Sequence, residues 1–244
     1  MVFIKFSRAN FLFNCILIFS CFNLIAQDRI TGNLFASRSE TIAKNGMVAT
    51  SHPLASQVGV EILKSGGNAI DAAIASNAAL GLMEPTGNGI GGDLFALVWV
   101  EKDKKLYGLN ASGRSPKNLT FNYLKENGFK KIPSYGALSV SVPGCVDGWF
   151  ELHEKFGKIK MEKILNPAIE YAKNGFPVTE LVAYYINLSS RFYSSYPNFK
   201  ETYLINGKSP KKGEIFKNPY LAKTLSIISK KGRKGFYEGE IAEK

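Results

Sequence analysis

Cysteine and histidine are scarce in this sequence, which restricts the chemistry that it can carry. Of three cysteines, Cys15 and Cys21 lie in an apolar stretch near the start, and only Cys145 lies beyond it. The chain beyond that stretch therefore cannot form an intrachain disulfide or a cysteine-based metal site. His52 and His153 are the only histidines, so few residues are available to form a Ser-His-Asp triad or a histidine metal site. Motifs of the H-E-x-x-H, G-x-S-x-G and P-loop types are also absent.

The first 26 residues have the three parts of a secretory signal peptide. Lys5 and Arg8 precede an apolar run that begins at Phe11, and the small residue Ala26 ends it. An uncleaved anchor helix fits less well, because the run is short and broken by asparagines. A lipoprotein signal also fits less well, because a bulky phenylalanine stands two residues before the candidate cysteine. We expect cleavage near Ala26, export to the periplasm or beyond, and no stable membrane span afterwards.

Acidic residues are outnumbered by basic ones, 20 against 31, for a formal net charge of +11. Lys5 and Arg8 are the only charged side chains of residues 1–26, so removal of that segment leaves +9. Such an excess can favour nucleic acid or an anionic surface. The basic residues are scattered, however, and short runs such as KSPKKG (208–213) lie beside glycines in turn-like contexts. We predict a solvated basic surface and no nucleic-acid partner.

Hydrophobic periodicity predicts a mixed α and β chain in which helices outnumber strands. Residues 27–45 are polar and irregular, and residues 46–244 show no repeat, no linker and no β-α-β alternation. Gly66–Gly67 ends the first helix, and Asn68 caps a buried second helix. The predicted strands are 46–51, a hairpin around the turn at 102–105, and 136–144. The predicted helices are 53–65, 69–84, 146–157, 161–173, 179–193 and 219–231.

The stretch EPTGNGIGGDLF (84–95) imitates a dinucleotide-binding turn. Gly87, Gly89 and Gly92 have G-x-G-x-x-G spacing, but a phosphate turn needs a strand before the glycines and a helix after them. Here a helix precedes them and a strand follows, and no acidic residue stands about 20 positions on to hold a ribose. We reject the dinucleotide interpretation. The loop is then a nest for an anion or, the interpretation that we favour, a tight turn under a crowded core.

Four further side chains are candidates for chemistry. Arg114, in NASGRSP, is equally compatible with a carboxylate contact and a surface charge. Cys145 stands at a helix start, where a thiol can be activated, but a lone cysteine among glycines and apolar residues is typical of packing. His52 lies at a junction where it can approach a site. His153, on a helix, is predicted to lie at the surface.

Several motifs, in order over residues 46–244, resemble the γ-glutamyltransferase family. They are GGNAIDAAIA (66–75), EP followed by GIGGD (84–93), GRSP (113–116), SVSVPGCVDGW (139–149) and GFYEGEIAEK (235–244). The resemblance implies part of a four-layer αββα N-terminal-nucleophile hydrolase sandwich, an α+β fold. It also implies transfer or hydrolysis of the γ-glutamyl group of glutathione and related amides through an acyl-enzyme, without a cofactor or metal. A self-cleaved precursor supplies the threonine nucleophile.

Members of that family place the threonine in a second half, which this chain does not contain. The resemblance therefore implies a signal peptide (1–26), a lead-in (27–45) and the N-terminal, large-subunit part of a longer domain (46–244). This part alone is expected to be inactive, and its natural partner is the small subunit of the same precursor. A non-catalytic exported binding protein and a piece that cannot fold by itself are the alternatives.

The carboxylate-binding motif departs from the usual family pattern. Typical transpeptidases have an Arg-Glu pair before an Ala-Pro dipeptide, and alignment on Pro116 puts Ser112 and Gly113 at that pair. Arg114 is displaced by two positions, as in the cephalosporin-acylase-like branch. The resemblance implies that Arg114 contacts the substrate carboxylate and that a loop frames the site. The alternative substrate is a glutaryl or cephalosporin-type amide. The framing loop comprises Gly89, Gly91, Gly92 and Asp93.

Overall fold

Residues 40–244 are described by the computed structural model. The predicted signal peptide, 1–26, and most of the predicted lead-in lie outside the described residues. Residues 40–45, the described part of the lead-in, contain no helix or strand. Residues Asn45–Lys244 form one compact unit. Among residues 40–244, none of the helices has the length and apolar character needed to cross a bilayer.

The compact unit is mainly helical, as the periodicity predicted. Its strands are β1 (Leu94–Val100), β2 (Lys105–Ala111), β3 (Phe176–Pro177) and β4 (Ile215–Phe216). Its helices are α1 (Pro53–Lys64), α2 (Ala69–Met83), α3 (Phe121–Glu126), α4 (Cys145–Phe156), α5 (Met161–Asn174), α6 (Glu180–Tyr193), α7 (Phe199–Tyr203), α8 (Pro219–Lys231), α9 (Lys234–Tyr237) and α10 (Glu240–Glu243). The helices predicted at 53–65, 69–84, 146–157, 161–173, 179–193 and 219–231 are confirmed within two residues at each end.

Polar residues at the start of α2 explain why that helix begins where it does. The Oδ1 atom of Asn68 accepts hydrogen bonds from the N–H groups of Ile70 and Asp71, both at 3.0 Å. The Asp71 carboxylate accepts one in return from the Asn68 N–H at 2.9 Å. This reciprocal capping box satisfies N–H groups that a helix start leaves free. Gly66, with a φ of 95°, provides the left-handed turn before it.

Helix α2 is the centre of the core. It packs against α1, α4 and α5, and α5 packs in turn against α8. Its alanines allow the neighbouring helices to approach closely, and nine of its fifteen residues are buried. Asn77, on α2, accepts a hydrogen bond from the indole N–H of the buried Trp149 at 2.8 Å. The prediction of a buried second helix is confirmed.

Strands β1 and β2 form the predicted hairpin. They are antiparallel, with Leu94 opposite Ala111 and Val100 opposite Lys105. Because successive side chains point to opposite faces, β1 alternates between partly buried and exposed residues. The partly buried face packs on α4, and the other face carries large exposed apolar side chains. We call this second face the open hairpin face, and it comprises Phe95, Leu97, Trp99 and Leu106.

Two predicted strands are wrong. Residues 46–51 have no strand partner among the described residues, and in 136–144 residues Ala137–Ser139 form a 3₁₀ turn. The alternation of Leu138, Val140 and Val142 suggested a strand, but a strand exists only where a second backbone pairs with it. The Val142 N–H makes a single hydrogen bond, to the Arg114 carbonyl at 2.9 Å, and Pro143 has no N–H to continue a ladder.

Candidate active site

A cavity of about 820 Å³ opens beside Arg114. Three stretches far apart in sequence line it, within residues 110–117, 142–147 and 233–238. The first follows β2, the second leads into α4, and the third includes α9. Small-molecule sites in proteins commonly occupy roughly 300–1,000 Å³. The cavity is therefore large enough to hold a small substrate.

Two glycines bring the first two stretches into backbone contact. Gly113 has a φ of 80°, and a Cβ atom built on it would overlap the Val142 carbonyl oxygen. A Cβ atom on Gly144 would overlap the Ala111 carbonyl oxygen and lie 2.6 Å from the Gly113 nitrogen. Glycine is required at both positions, because a side chain at either one would push the two backbone stretches apart. We call this contact the backbone crossing.

The backbone crossing was not predicted from the sequence. The glycine-rich stretch 84–95 has the denser glycine pattern, although isolated glycines at strand ends and after proline are also signals of close approach. Gly113 stands directly before Arg114, and Gly144 follows Pro143. Which pairs of isolated glycines meet depends on contacts between residues about 30 positions apart. A single sequence does not show such a contact.

Arg114 lies on the exposed rim of the cavity. Its carbonyl is held by the Val142 N–H, while its guanidinium makes no ion pair within residues 40–244. Arg233 differs, since it pairs with three carboxylates of α4. A positioned arginine without an internal partner can bind a carboxylate through two parallel hydrogen bonds. The charged residues that line the cavity are Arg114, Lys117, Arg233 and Lys234 with Asp147 and Glu238.

The glycine loop is more open than predicted. A Cβ atom added at Gly87, Gly89 or Gly91 would meet nothing within 4 Å, and on Gly92 the nearest atom would be 3.6 Å away. Within this described loop no glycine has a φ in the left-handed region. The loop does turn tightly, with hydrogen bonds from the Gly87 N–H to the Glu84 carbonyl and from the Gly92 N–H to the Gly89 carbonyl, but the predicted crowding around its glycines is wrong. The helix-then-strand order that excluded a dinucleotide is confirmed, with α2 before the loop and β1 after it.

Two members of the predicted framing loop contact the stretches at the backbone crossing. The Gly92 carbonyl accepts hydrogen bonds from the N–H groups of Gly144 at 3.1 Å and Cys145 at 3.0 Å. Ser141 Oγ lies 3.5 Å from an Asp93 carboxylate oxygen and donates to the Ser112 carbonyl at 3.2 Å. Gly92 and Asp93 thus adjoin the Arg114 segment. None of the four residues of the predicted framing loop lines the cavity itself.

Cys145 is packed rather than reactive. Its side chain is buried, and its sulfur lies 3.5 Å from Asn77 Oδ1. Burial, with a smaller contribution from the negative charge of Asp93, raises the pKa of the Cys145 thiol to about 12. The thiolate is the nucleophilic form of cysteine, so this residue is protonated and inert at neutral pH. The packing interpretation is supported over the catalytic one.

Both histidines have structural partners. His52 is buried, and its Nδ1 atom accepts a hydrogen bond from the Leu54 N–H at 3.3 Å, which caps α1. His153 is half-buried rather than fully at the surface, and its Nε2 atom lies 2.7 Å from the Ile159 carbonyl oxygen. Neither residue lines the cavity. A histidine-based mechanism in this cavity therefore has no support from the described residues.

Acidification should weaken the fold through His52. Burial, partly opposed by Glu84, lowers the pKa of His52 below its ordinary 6.5. The unfolded chain then binds the proton more readily, so the stabilisation is complete above the unfolded pKa and falls as pH drops towards the folded one. Urea unfolding at about pH 7.5 and about pH 5 should show this loss. His52→Asn keeps a capping acceptor and should lose less on acidification, whereas an equal loss would contradict this assignment.

Comparison with known proteins identifies relatives over most of the compact unit. A family model described as Gamma-glutamyltranspeptidase matches residues 55–244. The Glutathione hydrolase-like YwrD proenzyme of Bacillus subtilis is 39% identical over 204 residues, which are 83% of this chain and 38% of the relative. The chain spans between a third and two fifths of the length of the first curated relatives that it matches.

Solved structures resemble the chain closely. A cephalosporin acylase from Bacillus halodurans is 42% identical with a TM-score of 0.81, covering 88% of this chain and 41% of that one. A gamma-glutamyltranspeptidase from Helicobacter pylori is 33% identical with a TM-score of 0.79, covering 84% of this chain and 60% of that one. The predicted fold class, an α+β part of the N-terminal-nucleophile hydrolase sandwich, is confirmed by these two similarities.

Proposed function

The chain belongs to the gamma-glutamyltranspeptidase family, and on that basis we propose that it is the N-terminal, large-subunit part of a γ-glutamyl-transferring or -hydrolysing enzyme. The observation that carries the proposal is Arg114, an exposed arginine without an internal ion pair in residues 40–244, on the rim of an 820 Å³ cavity. Glutathione and related γ-glutamyl amides are the proposed substrates. Their carboxylate provides the negative charge with which the Arg114 guanidinium can pair.

Arg114 is the proposed carboxylate contact because its backbone is held on both sides. Gly113 lies at the backbone crossing, and the Arg114 carbonyl accepts the Val142 N–H. A fixed backbone lowers the cost of ordering a guanidinium around its ligand. Gly89, Gly91, Gly92 and Asp93 are the proposed frame of the site. The space over Gly89 and Gly91 leaves room for the substrate or for another segment of backbone.

The proposed nucleophile is a threonine of a small subunit that the same precursor supplies. In this mechanism its hydroxyl attacks the γ-carbonyl, its freed α-amine takes the proton, and the amine leaving group departs with a proton. Water or an acceptor amine then releases the acyl group. The proenzyme names of relatives and the chain's share of their length support this. An active preparation consisting of one uncut polypeptide would contradict it.

The exposure of the open hairpin face is evidence that a second layer packs against it. Phe95, Leu97 and Trp99 are 66%, 79% and 56% exposed on one side of a two-stranded sheet. Contiguous apolar faces of this kind are normally covered, and a second sheet packs at about 10 Å from the first. We therefore propose that the small subunit covers this face. The domain boundaries, 1–26, 27–45 and 46–244, and export to the periplasm or outside remain part of the proposal.

The acyl group has two candidates. A γ-glutamyl amide and a glutaryl amide place a carboxylate at the same distance from the reacting carbonyl, and differ by the α-ammonium group. Arg114 can hold the carboxylate of either. The similarity to a cephalosporin acylase, at 42% identity, favours keeping the glutaryl or cephalosporin-type amide as the second candidate. A non-catalytic exported binding protein is the alternative to both enzymes, and it predicts ligand binding without turnover.

The complete precursor with Arg114→Ala tests the proposed function. We expect the KM for γ-glutamyl-p-nitroanilide to rise about 10–100-fold, because one charge-assisted contact of roughly 1.5–3 kcal/mol is lost. Butyryl-p-nitroanilide, which has no carboxylate, should be hydrolysed with unchanged parameters. Glutaryl-p-nitroanilide, compared with the γ-glutamyl substrate in the unaltered protein, decides between the two acyl groups.

Arg191→Ala is the matched control, because Arg191 is an exposed arginine of α6 outside the cavity. It should leave KM and kcat unchanged on all three substrates. Unchanged kinetics in Arg114→Ala on both carboxylate-bearing substrates would remove Arg114 from the site. Binding of glutathione without turnover in the cleaved protein would favour the non-catalytic alternative.

A further inference from the structure

Tyr237, at the end of α9, contacts backbone groups that lie about 90 residues earlier. Its hydroxyl donates to the Pro143 carbonyl at 2.7 Å and accepts from the Asp147 N–H at 3.0 Å. A phenol has one proton to donate, and here that proton and a lone pair are both used. Burial, the largest effect on this group, raises the pKa of Tyr237. The hydroxyl therefore stays protonated and able to donate.

The Tyr237 hydroxyl serves as a cap for the start of helix α4, where no local side chain provides one. Helix α4 begins after Gly144, which has no side chain to accept hydrogen bonds from the first N–H groups. The Gly92 carbonyl accepts two of these N–H groups, from Gly144 and Cys145. The Tyr237 hydroxyl accepts the one from Asp147. A distant side chain thus supplies what serine, threonine or aspartate usually provides locally.

An ion-pair cluster holds α9 in place for this contact. Arg233, directly before α9, lies 2.9 Å from Asp147, 3.0 Å from Glu151 and 3.3 Å from Glu154. These three carboxylates follow one another on one face of α4, at helical spacing. Each pair is partly exposed and contributes little alone. Together they fix the orientation of the Arg233–Tyr237 segment relative to α4.

The Tyr237 contacts lead directly to Arg114. The turn that Tyr237 holds, Pro143–Asp147, includes Gly144 of the backbone crossing. The residue before that turn, Val142, donates its N–H to the Arg114 carbonyl at 2.9 Å. Because the two backbone stretches touch at the backbone crossing, a shift of the turn displaces the backbone that carries the Arg114 guanidinium. No other side chain donates a hydrogen bond to the Pro143 carbonyl within residues 40–244.

We infer that Tyr237 is a positioning residue for the acyl-donor carboxylate: its hydroxyl fixes the Pro143–Asp147 turn, and the turn fixes Arg114. The inference rests on the proposed function, since it concerns how well Arg114 is placed for a carboxylate. It assigns to the GFYEGE motif a role that its position in the sequence does not suggest. Tyr237 also lines the cavity, but its hydroxyl is hydrogen-bonded to Pro143 and Asp147, so we assign its effect to the turn.

Tyr237→Phe in the complete precursor is the first test. Loss of one buried hydroxyl contact should raise the KM for γ-glutamyl-p-nitroanilide about fivefold, with kcat changed by less than about twofold. Butyryl-p-nitroanilide should be unaffected. Tyr220→Phe, at an exposed tyrosine of α8, is the matched control and should match the unaltered protein. A lowered Tm with unchanged KM in Tyr237→Phe would show a purely structural role and overturn the inference.

The double variant Arg114→Ala/Tyr237→Phe tests the route. If Tyr237 acts through Arg114, its KM should equal that of Arg114→Ala alone, and an additive rise would overturn the inference. Arg233→Gln provides a second variant if Tyr237→Phe fails to fold. It keeps the hydroxyl but frees α9, and it should raise the same KM by a smaller factor. An unchanged KM there would also count against the inference.

Amide hydrogen exchange separates this inference from the proposed function. Tyr237→Phe should speed exchange at the Asp147 N–H, which loses its acceptor, and at the Val142 N–H, which contacts Arg114. This readout requires no substrate. Unchanged exchange at Val142 would overturn the positioning route even in an active enzyme. Faster exchange together with unchanged kinetics in Arg114→Ala would instead contradict the proposed role of Arg114.

Discussion

Replacement of Gly113 by alanine is expected to lower the free energy of unfolding by about 3 kcal/mol or more. A φ of 80° disfavours any residue with a Cβ atom, by roughly 1–2 kcal/mol. The added methyl group would also overlap the Val142 carbonyl oxygen. Relief of that overlap requires the two backbone stretches to separate, which breaks the hydrogen bond from the Val142 N–H to the Arg114 carbonyl. Urea unfolding of the purified protein measures the loss.

Gly91→Ala is the matched control for this prediction. A Cβ atom at Gly91 would have open space, and the residue does not have a left-handed φ. The same chemical change should therefore alter stability by less than about 1 kcal/mol, or stabilise slightly by restricting the unfolded chain. The enzyme activity proposed for the precursor should fall with Gly113→Ala, whereas Gly91→Ala serves as a control for stability alone because Gly91 belongs to the proposed frame of the site. Equal destabilisation by the two substitutions would refute the backbone crossing.

Asp71→Ala should cost about 3–5 kcal/mol of stability, since three N–H groups would lose a buried acceptor. Asp71 is fully buried, and its carboxylate accepts hydrogen bonds from the N–H groups of Asn68, Lys158 and Ile159 at 2.9, 3.0 and 3.3 Å. It joins the start of α2 to the loop between α4 and α5. Removal of the carboxylate leaves three partly buried N–H groups without their acceptor.

Two further variants separate this effect from charge alone. Asp71→Asn keeps one acceptor oxygen and should lose less than Asp71→Ala in urea unfolding. Asp103→Ala removes an exposed carboxylate from the turn between β1 and β2 and should stay within about 0.5 kcal/mol of the unaltered protein. A loss below about 1 kcal/mol for Asp71→Ala would mean that water replaces the carboxylate.

The helices were predictable because their signals are local. Asn68 and Asn218 cap α2 and α8, Pro219 occupies the first position of α8, and Gly175 ends α5 with a φ of 98°. Capping and periodicity involve residues within a few positions of each other. The strand predicted at 136–144 failed for the opposite reason. Its alternation is local, but a strand also depends on a partner that the sequence does not specify.

The glycines show the same limit in the site. The stretch with the most glycines has free space around them, while isolated Gly113 and Gly144 lie where two backbone stretches touch. Local density of glycine indicates a flexible loop, and only the contact between residues distant in sequence shows where a side chain cannot fit. Arg114 was a candidate from the sequence, although its chemistry alone did not distinguish a ligand from a surface charge. Tyr237 was not a candidate at all.

The sequence by itself determined the six longer helices, the hairpin, the exclusion of a dinucleotide turn and the family resemblance, because these depend on spacing and order along the chain. The tertiary structure alone decided that Cys145 is inert, that Gly113 and Gly144 cross, and that the Tyr237 hydroxyl caps α4. Each of these depends on burial or on contacts between residues that lie roughly 30 to 90 positions apart. Desolvation and steric overlap act through space, so they become visible only when the folded neighbours are known.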